Sequence, residues 1–256
     1  MKCFLDMNLR CILLSRGALK VIGIITMFIN HFGKTFEIYQ YSSIAFFLTE
    51  ILGKLTFPIM AFLLVEGFTH TKNIKKYLFR MFIGWIISIY PFYLFTKHDY
   101  TFESINIFGN VFFTLMMGLI LLVLLKKLKN NIVKFILSVM ACLITISSDW
   151  GIIGILLIIG FFITKENNKT HLPIICTTIY VFLLFCFEYI KNPIQIPVYE
   201  IFTSLGILFS LPILKSYKNI EYHGRRSFNL FFYFFYPAHL ILLVGVKHFL
   251  ISYITL

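Results

Sequence analysis

The sequence predicts an all-α protein, a polytopic membrane helical bundle of about nine transmembrane helices with its N-terminus in the cytoplasm. Three observations predict it. Hydrophobic residues make up 59% of the 256 and charged residues 13%, against about 25% charged in soluble globular chains, and the mean hydropathy is +0.86. Apolar runs of roughly 15 to 22 residues recur between short charge clusters, the length a helix needs to cross the hydrocarbon core. The basic residues, finally, collect in every second interval, as the excess of Lys and Arg in cytoplasmic loops requires.

The elements follow in order from these boundaries. The first span, 17–34, comes after Lys2, Arg10 and Arg16 and carries Lys20. Residues 38–53, with Glu37, Gln40, Ser42, Ser43 and Glu50 among aromatics, are predicted as an interfacial helix rather than a span. Spans at 54–70 and 77–96 flank Lys72, Lys75, Lys76 and Arg80, and spans at 105–125 and 133–148 flank Lys126, Lys127, Lys129 and Lys134. Spans at 150–164 and 172–189 flank Lys165 and Lys169, and spans at 197–214 and 227–247 flank Lys215, Lys218, Arg225 and Arg226. An N-terminus inside then puts 18 of the 23 basic residues on the cytoplasmic side, leaving Lys34, Lys54, Lys97, Lys191 and Lys247 outside. Asp149 divides the apolar stretch 133–164 into two short helices, either thin spans or a re-entrant pair whose break faces protein or a water-filled cavity.

No repeat, low-complexity tract or Pro- or Gly-rich linker interrupts the chain, so residues 1–256 are predicted as one membrane-embedded domain. The net charge of +12 lies in clusters between apolar runs, without the basic aromatic face that nucleic acid needs, and membrane topology accounts for it. Cys3, Cys11, Cys142, Cys176 and Cys186 are scattered and show no CxxC or CxxH spacing, which excludes a recognisable metal or redox motif. The basic N-terminus lacks a small-residue cleavage site and is expected to be a cytoplasmic start rather than a removable signal peptide.

Function is expected around His31, in the stretch A-L-K-V-I-G-I-I-T-M-F-I-N-H-F-G, because an ionisable side chain inside a hydrocarbon slab is costly. His31 lies about 16 Å along a helix from Lys20, and His239 about 20 Å from Arg226, at 1.5 Å per residue. Asp149 falls at the outer end of the fifth span, so all three residues can meet in the outer half of the membrane. An Asp holding one imidazole nitrogen fixes the tautomer and supports the imidazolium, which makes His31 a candidate general base and Asp149 its orienter. Hydrogen bonding between helices is the competing explanation for both histidines. Glu66 is expected to pair with Lys20 or Arg80. Asn30 and Asn110 are candidate donors to a developing oxyanion. Lys72, Lys76, Arg80, Arg225 and Arg226 would attract phosphates at the inner mouth, Arg80 most clearly because it sits inside the apolar run Y-L-F-R-M-F-I-G.

Five motifs carry a family resemblance: L-K-V-I-G-I-I-T-M-F-I-N-H-F-G, F-P-I-M-A-F-L-L-V-E-G-F-T-H-T-K-N-I-K-K-Y-L-F-R, N-V-F-F-T-L, S-D-W-G-I-I-G and F-F-Y-P-A-H-L. In succession, over about Leu19 to Leu240, they resemble the TraX family, named for the conjugative F-pilin acetylase and distantly similar to other polytopic acyltransferases. The resemblance implies an integral membrane acetyltransferase that takes acetyl-CoA from the cytoplasm and acetylates an acceptor in or across the cell membrane, in the named case a pilin N-terminal amine. The family's Asp-His pair falls on Asn30 and His31, so the aspartate is replaced and Asp149 becomes the better orienter. Its Ser-Glu-x-Pro reads Ser88-Ile89-Tyr90-Pro91, where a second carboxylate is missing.

The expected partners are membrane lipids and an acetyl acceptor that is a peptide, a polar small molecule or a glycan. Two rivals are an O-acetyltransferase of a glycan or lipid-linked sugar, and a proton-coupled transporter using His31, Asp149, Glu66 and His239 as a relay.

Overall fold

The computed structural model describes residues 14–97, 105–167, 169–218 and 226–254. Its helices are α1 (Arg16–Thr35), α2 (Ser43–His70), α3 (Ile74–Lys97), α4 (Val111–Lys127), α5 (Asn131–Ile144), α6 (Gly151–Thr164), α7 (His171–Lys191), α8 (Tyr199–Thr203), α9 (Leu205–Leu208), α10 (Ser210–Lys215) and α11 (Arg226–Ile254). Among the described residues the only β pairing is an isolated bridge between Leu14 and Tyr217, which fastens the segment just before α1 beside α10.

Polar residues at the ends of the apolar runs start several of these helices. Ser15 and Ser42 accept from the amides of Ala18 and Ala45, each at 3.2 Å, and so cap α1 and α2. Asn110 and Asn130 do the same for α4 and α5, each satisfying amides that have no partner inside the helix. The Ser42 cap also corrects one expectation. Residues 43–53 form no separate interfacial helix but the first turns of α2, which runs 28 residues straight through Pro58. Glu50, the charge that suggested an interface, is 8% exposed and faces α1.

The segment expected as one span at 197–214 is instead broken into α8, α9 and α10. The hydroxyls of Thr203, Ser204 and Ser210 donate to carbonyls three residues back, at 2.6, 2.8 and 2.6 Å. Such local bonds compete with a continuous helix. Gly206 permits the close approach of this segment to α2, since a Cβ there would fall on the Ile51 carbonyl.

Among the described residues, four helices are long and apolar enough to cross a membrane: Ser43–His70, Ile74–Thr96, His171–Lys191 and Phe231–Tyr253. They mark the chain as a membrane protein. The other predicted spans fall on helices that are shorter or less apolar. α5 and α6, with 14 residues each, reach about 21 Å, short of the roughly 30 Å hydrocarbon thickness.

The core lies between α1, α2, α3, α4, α6 and α11, with Leu19, Ile59, Leu119, Leu122, Leu157, Ile158 and Leu240 fully buried. The outer faces of α5 and α7 are apolar as well, with Ile132, Phe135 and Ile190 exposed, as suits surfaces that meet lipid rather than water.

Replacing Gly206 with alanine is expected to destabilise the fold by about 1–3 kcal/mol, because the added methyl meets backbone rather than a movable side chain. Gly245→Ala, where nothing lies within 4 Å of the new Cβ, is expected to leave stability unchanged or raise it. Thermal unfolding of both variants in detergent measures the difference.

Candidate functional site

α1 builds the site through two adjacent stripes. Thr26, Asn30 and Lys34, four residues apart, share one face. They meet α2 in a polar seam: Thr26 Oγ1 lies 2.9 Å from Thr56 Oγ1, Asn30 Nδ2 donates to Glu50 Oε1 at 2.6 Å and to the Thr49 carbonyl at 3.3 Å, and Lys34 pairs with Glu50 at 3.6 Å. Gly53 leaves the space that the Asn30 side chain fills. The neighbouring stripe of Arg16, Lys20, Met27, His31 and Lys34 borders a cavity of about 670 Å³ between α1, α2, α3, α4 and α11.

The cavity changes character along its length. Near the start of α1 it is bordered by Arg16, Lys20, His70 and Arg80, through the middle by Met27, Met60, Leu64 and Leu115, and near the end of α1 by Asn30, Lys34, Glu50, Lys54, Asp149 and Trp150. It therefore joins a basic mouth to a mixed-charge end through an apolar section.

His31 sits in this cavity, buried, and its Nδ1 is 2.6 Å from Nε2 of His239. His239 Nδ1 lies 2.8 Å from the Phe235 carbonyl one turn back on α11. A carbonyl only accepts, so His239 must carry its proton on Nδ1. In the neutral ring Nε2 is then an acceptor. His31 consequently donates from Nδ1 and keeps a lone pair on Nε2, a tautomer assigned from the hydrogen-bond network. Phe235 stacks on His239 with centroids 4.8 Å apart, and Phe95 lies 4.7 Å from His31, so both rings are held in place.

His239 thus occupies the place the sequence gave to Asp149. The Asp149 backbone is pinned to the start of α4, its amide donating to the Gly109 carbonyl at 2.7 Å and its carbonyl accepting from Thr114 Oγ1 at 2.5 Å. Trp150 then turns the chain at φ 63°, in the left-handed region, so that both residues border the cavity. The Asp149 carboxylate lies in the field of Lys34 and Lys54, not in a described hydrogen bond with His31.

Neither asparagine is an available oxyanion donor. Both Asn30 amide hydrogens are spent on Glu50 and Thr49. Asn110 is 1% exposed, caps α4 through its oxygen, donates to the Trp85 carbonyl at 3.2 Å and does not border the cavity.

At the basic mouth, Arg80 borders the cavity and lies over the rings of Tyr77 and Tyr233, 5.7 and 5.9 Å from their centroids. Lys72 and Lys76 are exposed nearby without bordering it. The Arg226 backbone opens α11, and Arg225 lies outside the described residues.

Glu66 pairs with neither Lys20 nor Arg80. It gathers Arg16 at 3.8 Å, His70 at 3.5 Å, the Lys165 ammonium and the Tyr217 hydroxyl at 3.2 Å, and so ties α1, α2, the end of α6 and the segment after α10 together. Burial raises the Tyr217 phenol above its ordinary pKa, and the Glu66 carboxylate acts in the same direction. It therefore stays a neutral donor.

Sequence reasoning missed Lys54 and Tyr236. Lys54 interrupts an apolar run and lies over Trp150 and Phe185, 5.8 and 5.1 Å from their centroids. Tyr236 borders the cavity beside His31, with ring centroids 6.1 Å apart. It stands three residues before His239 and hence on the same face of α11, which was the available signal. No group of His, Cys, Asp or Glu among the described residues is disposed to hold a metal ion.

No solved structure matches the chain. Over 246 residues, covering 91% of this chain and 95% of the relative, it is 29% identical to a "Probable fimbrial assembly protein FimC, serogroup H1" of Dichelobacter nodosus. The family model described as "TraX protein" matches residues 15–247. With nearly the whole helical bundle and the whole cavity inside that match, the chain belongs to the TraX family.

Proposed function

We propose that the protein is an integral, multi-pass acetyltransferase of the cell membrane, moving an acetyl group from cytoplasmic acetyl-CoA to an amine such as a peptide or pilin N-terminus. The observation that carries this is the His31–His239 pair, which leaves an unprotonated imidazole nitrogen on a ring that borders a cavity between a cationic mouth and a second polar end. The relative's name, a fimbrial assembly protein, favours a pilin-like acceptor.

The mouth fits a CoA nucleotide by charge, since Arg16, Lys20 and Arg80 present cations where phosphates need charge-assisted bonds. Beyond it the apolar section suits a pantetheine arm and excludes water around a thioester. The start of α1 then faces the cytoplasm, in keeping with the basic residues gathered on that side. Acetyl-CoA supplies an activated acyl group.

The chain's own residues do the rest. His31 Nε2 accepts the proton that the acceptor amine loses as its nitrogen attacks the thioester carbonyl, and returns it to the departing thiolate. His239 accepts from His31 Nδ1 and stabilises the imidazolium formed in between, the part that a carboxylate plays in a Ser-His-Asp triad. The Asn30 substitution is then no loss to the base, because Asn30 faces α2 and not the His31 ring.

In nanodiscs, wild-type protein given acetyl-CoA and an N-terminal pilin-like peptide is expected to release free thiol in step with peptide acetylation, and His31→Ala to lose about 10²–10⁴-fold in kcat. Thiol release that survives the substitution would exclude His31 as the base. A glycan that stimulates release where the peptide does not would move the acceptor from amine to hydroxyl. His239→Gln retains an acceptor for His31 Nδ1 and is expected to keep more activity than His239→Ala. Arg80→Ala is expected to weaken CoA binding about 10- to 100-fold, the value of a charge-assisted bond, measured by calorimetry.

A further inference from the structure

Acetyl transfer needs a donor for the oxygen that becomes negative when the thioester carbonyl is attacked, and of the two asparagines expected in that part Asn30 is spent on α2 and Asn110 does not border the cavity. Tyr236 is 3% exposed, and its hydroxyl is among the few buried side-chain polar atoms of the described residues without a hydrogen-bond partner. A buried hydroxyl left unpaired costs about 1–3 kcal/mol, so a native structure retains one where something else will use it.

The position suits that use. Tyr236 borders the cavity on α11, with its ring 6.1 Å from His31, 5.8 Å from His239 and 5.5 Å from Phe112, centroid to centroid. These edge contacts fix the ring, so the phenol loses little entropy on meeting a ligand.

We infer that the Tyr236 hydroxyl is the oxyanion donor of the acetyl-transfer site, an inference that rests on the function proposed above. The acceptor nitrogen attacks the thioester carbonyl carbon and the carbonyl π pair moves onto oxygen, which accepts from the Tyr236 O–H. The oxyanion then re-forms the carbonyl and expels the CoA thiolate, and the amine proton passes through His31 Nε2 to that sulfur. Tyr236 donates throughout without giving up its proton. The donor is therefore held by the helix that also carries His239, and one rigid element positions both the donor and the partner of the His31 base.

Tyr236→Phe tests this, since it keeps the ring and removes only the unpaired hydroxyl, so folding and thermal stability should be retained. Two readouts on wild type and variant separate the possible failures. The first is kcat for thiol release with the peptide acceptor, expected to fall about 10²–10³-fold with KM for acetyl-CoA unchanged. The second is the infrared carbonyl band of bound acetonyl-CoA, whose ketone replaces the thioester and cannot transfer its acetyl group. This band should sit at lower frequency in wild type and move back in the variant. An analogue that binds both proteins with the same band, together with equal kcat, overturns the Tyr236 assignment and leaves the acetyltransferase standing. Wild-type protein that neither binds the analogue nor releases thiol overturns the acetyltransferase, and the assignment of Tyr236 with it.

Discussion

The polar seam between α1 and α2 is the constraint on which the rest of the site depends. A polar group buried between helices costs free energy unless it is hydrogen-bonded, so Thr26 and Asn30 need partners on a neighbouring helix, and Lys34 continues their stripe. They find them in Thr56, Thr49 and Glu50. Three contacts at four-residue spacing leave α1 no freedom to rotate or slide against α2. With that face fixed, His31, one residue on from Asn30, is turned away from α2 toward α11, where His239 waits at 2.6 Å. The histidine pair is thus positioned by a seam that takes no part in its chemistry.

A division between spent and unspent polar groups runs through the whole bundle. Asn30, Asn110 and Glu66 are tied up in hydrogen bonds or ion pairs that join helices. His31 Nε2 and the Tyr236 hydroxyl, both on rings bordering the cavity, complete no such bond among the described residues. Groups of the first kind hold a membrane protein together, since packing of apolar side chains against one another gains little over packing against lipid. Those of the second kind cost stability, and chemistry is what can return that cost. The left-handed Trp150, beside Asp149 at the mixed-charge end, fits the same pattern, as strained backbone tends to collect at functional sites.

The two ends of the cavity differ in charge. At one end Arg16, Lys20 and Arg80 gather positive charge, and at the other Lys34 and Lys54 share the wall with Glu50 and Asp149. Glu66 keeps the first end from being an undivided patch of cations, because it draws Arg16, His70 and Lys165 to itself and leaves Arg80 lying over tyrosine rings at the mouth.

By itself the sequence determined the all-helical membrane character and the family, and it singled out His31 and His239, since apolar run length and ionisable residues inside such runs are properties of composition and spacing. Helix boundaries were legible only to within a few residues at the caps Asn110 and Asn130, where the spans expected from 105 and 133 begin at Val111 and Asn131. They were not where polar residues had two uses: Glu50 reads as an interfacial charge until α1 supplies Asn30 and Lys34, and residues 197–214 read as one span until Thr203, Ser204 and Ser210 break it from within. Tertiary structure alone decided that His239 rather than Asp149 orients His31, that both asparagines are spent, and that Tyr236 is not. The physical reason is that a polar side chain's role depends on which of its hydrogen bonds are already made, and those partners lie as much as 208 positions away in the chain, beyond the reach of any local pattern.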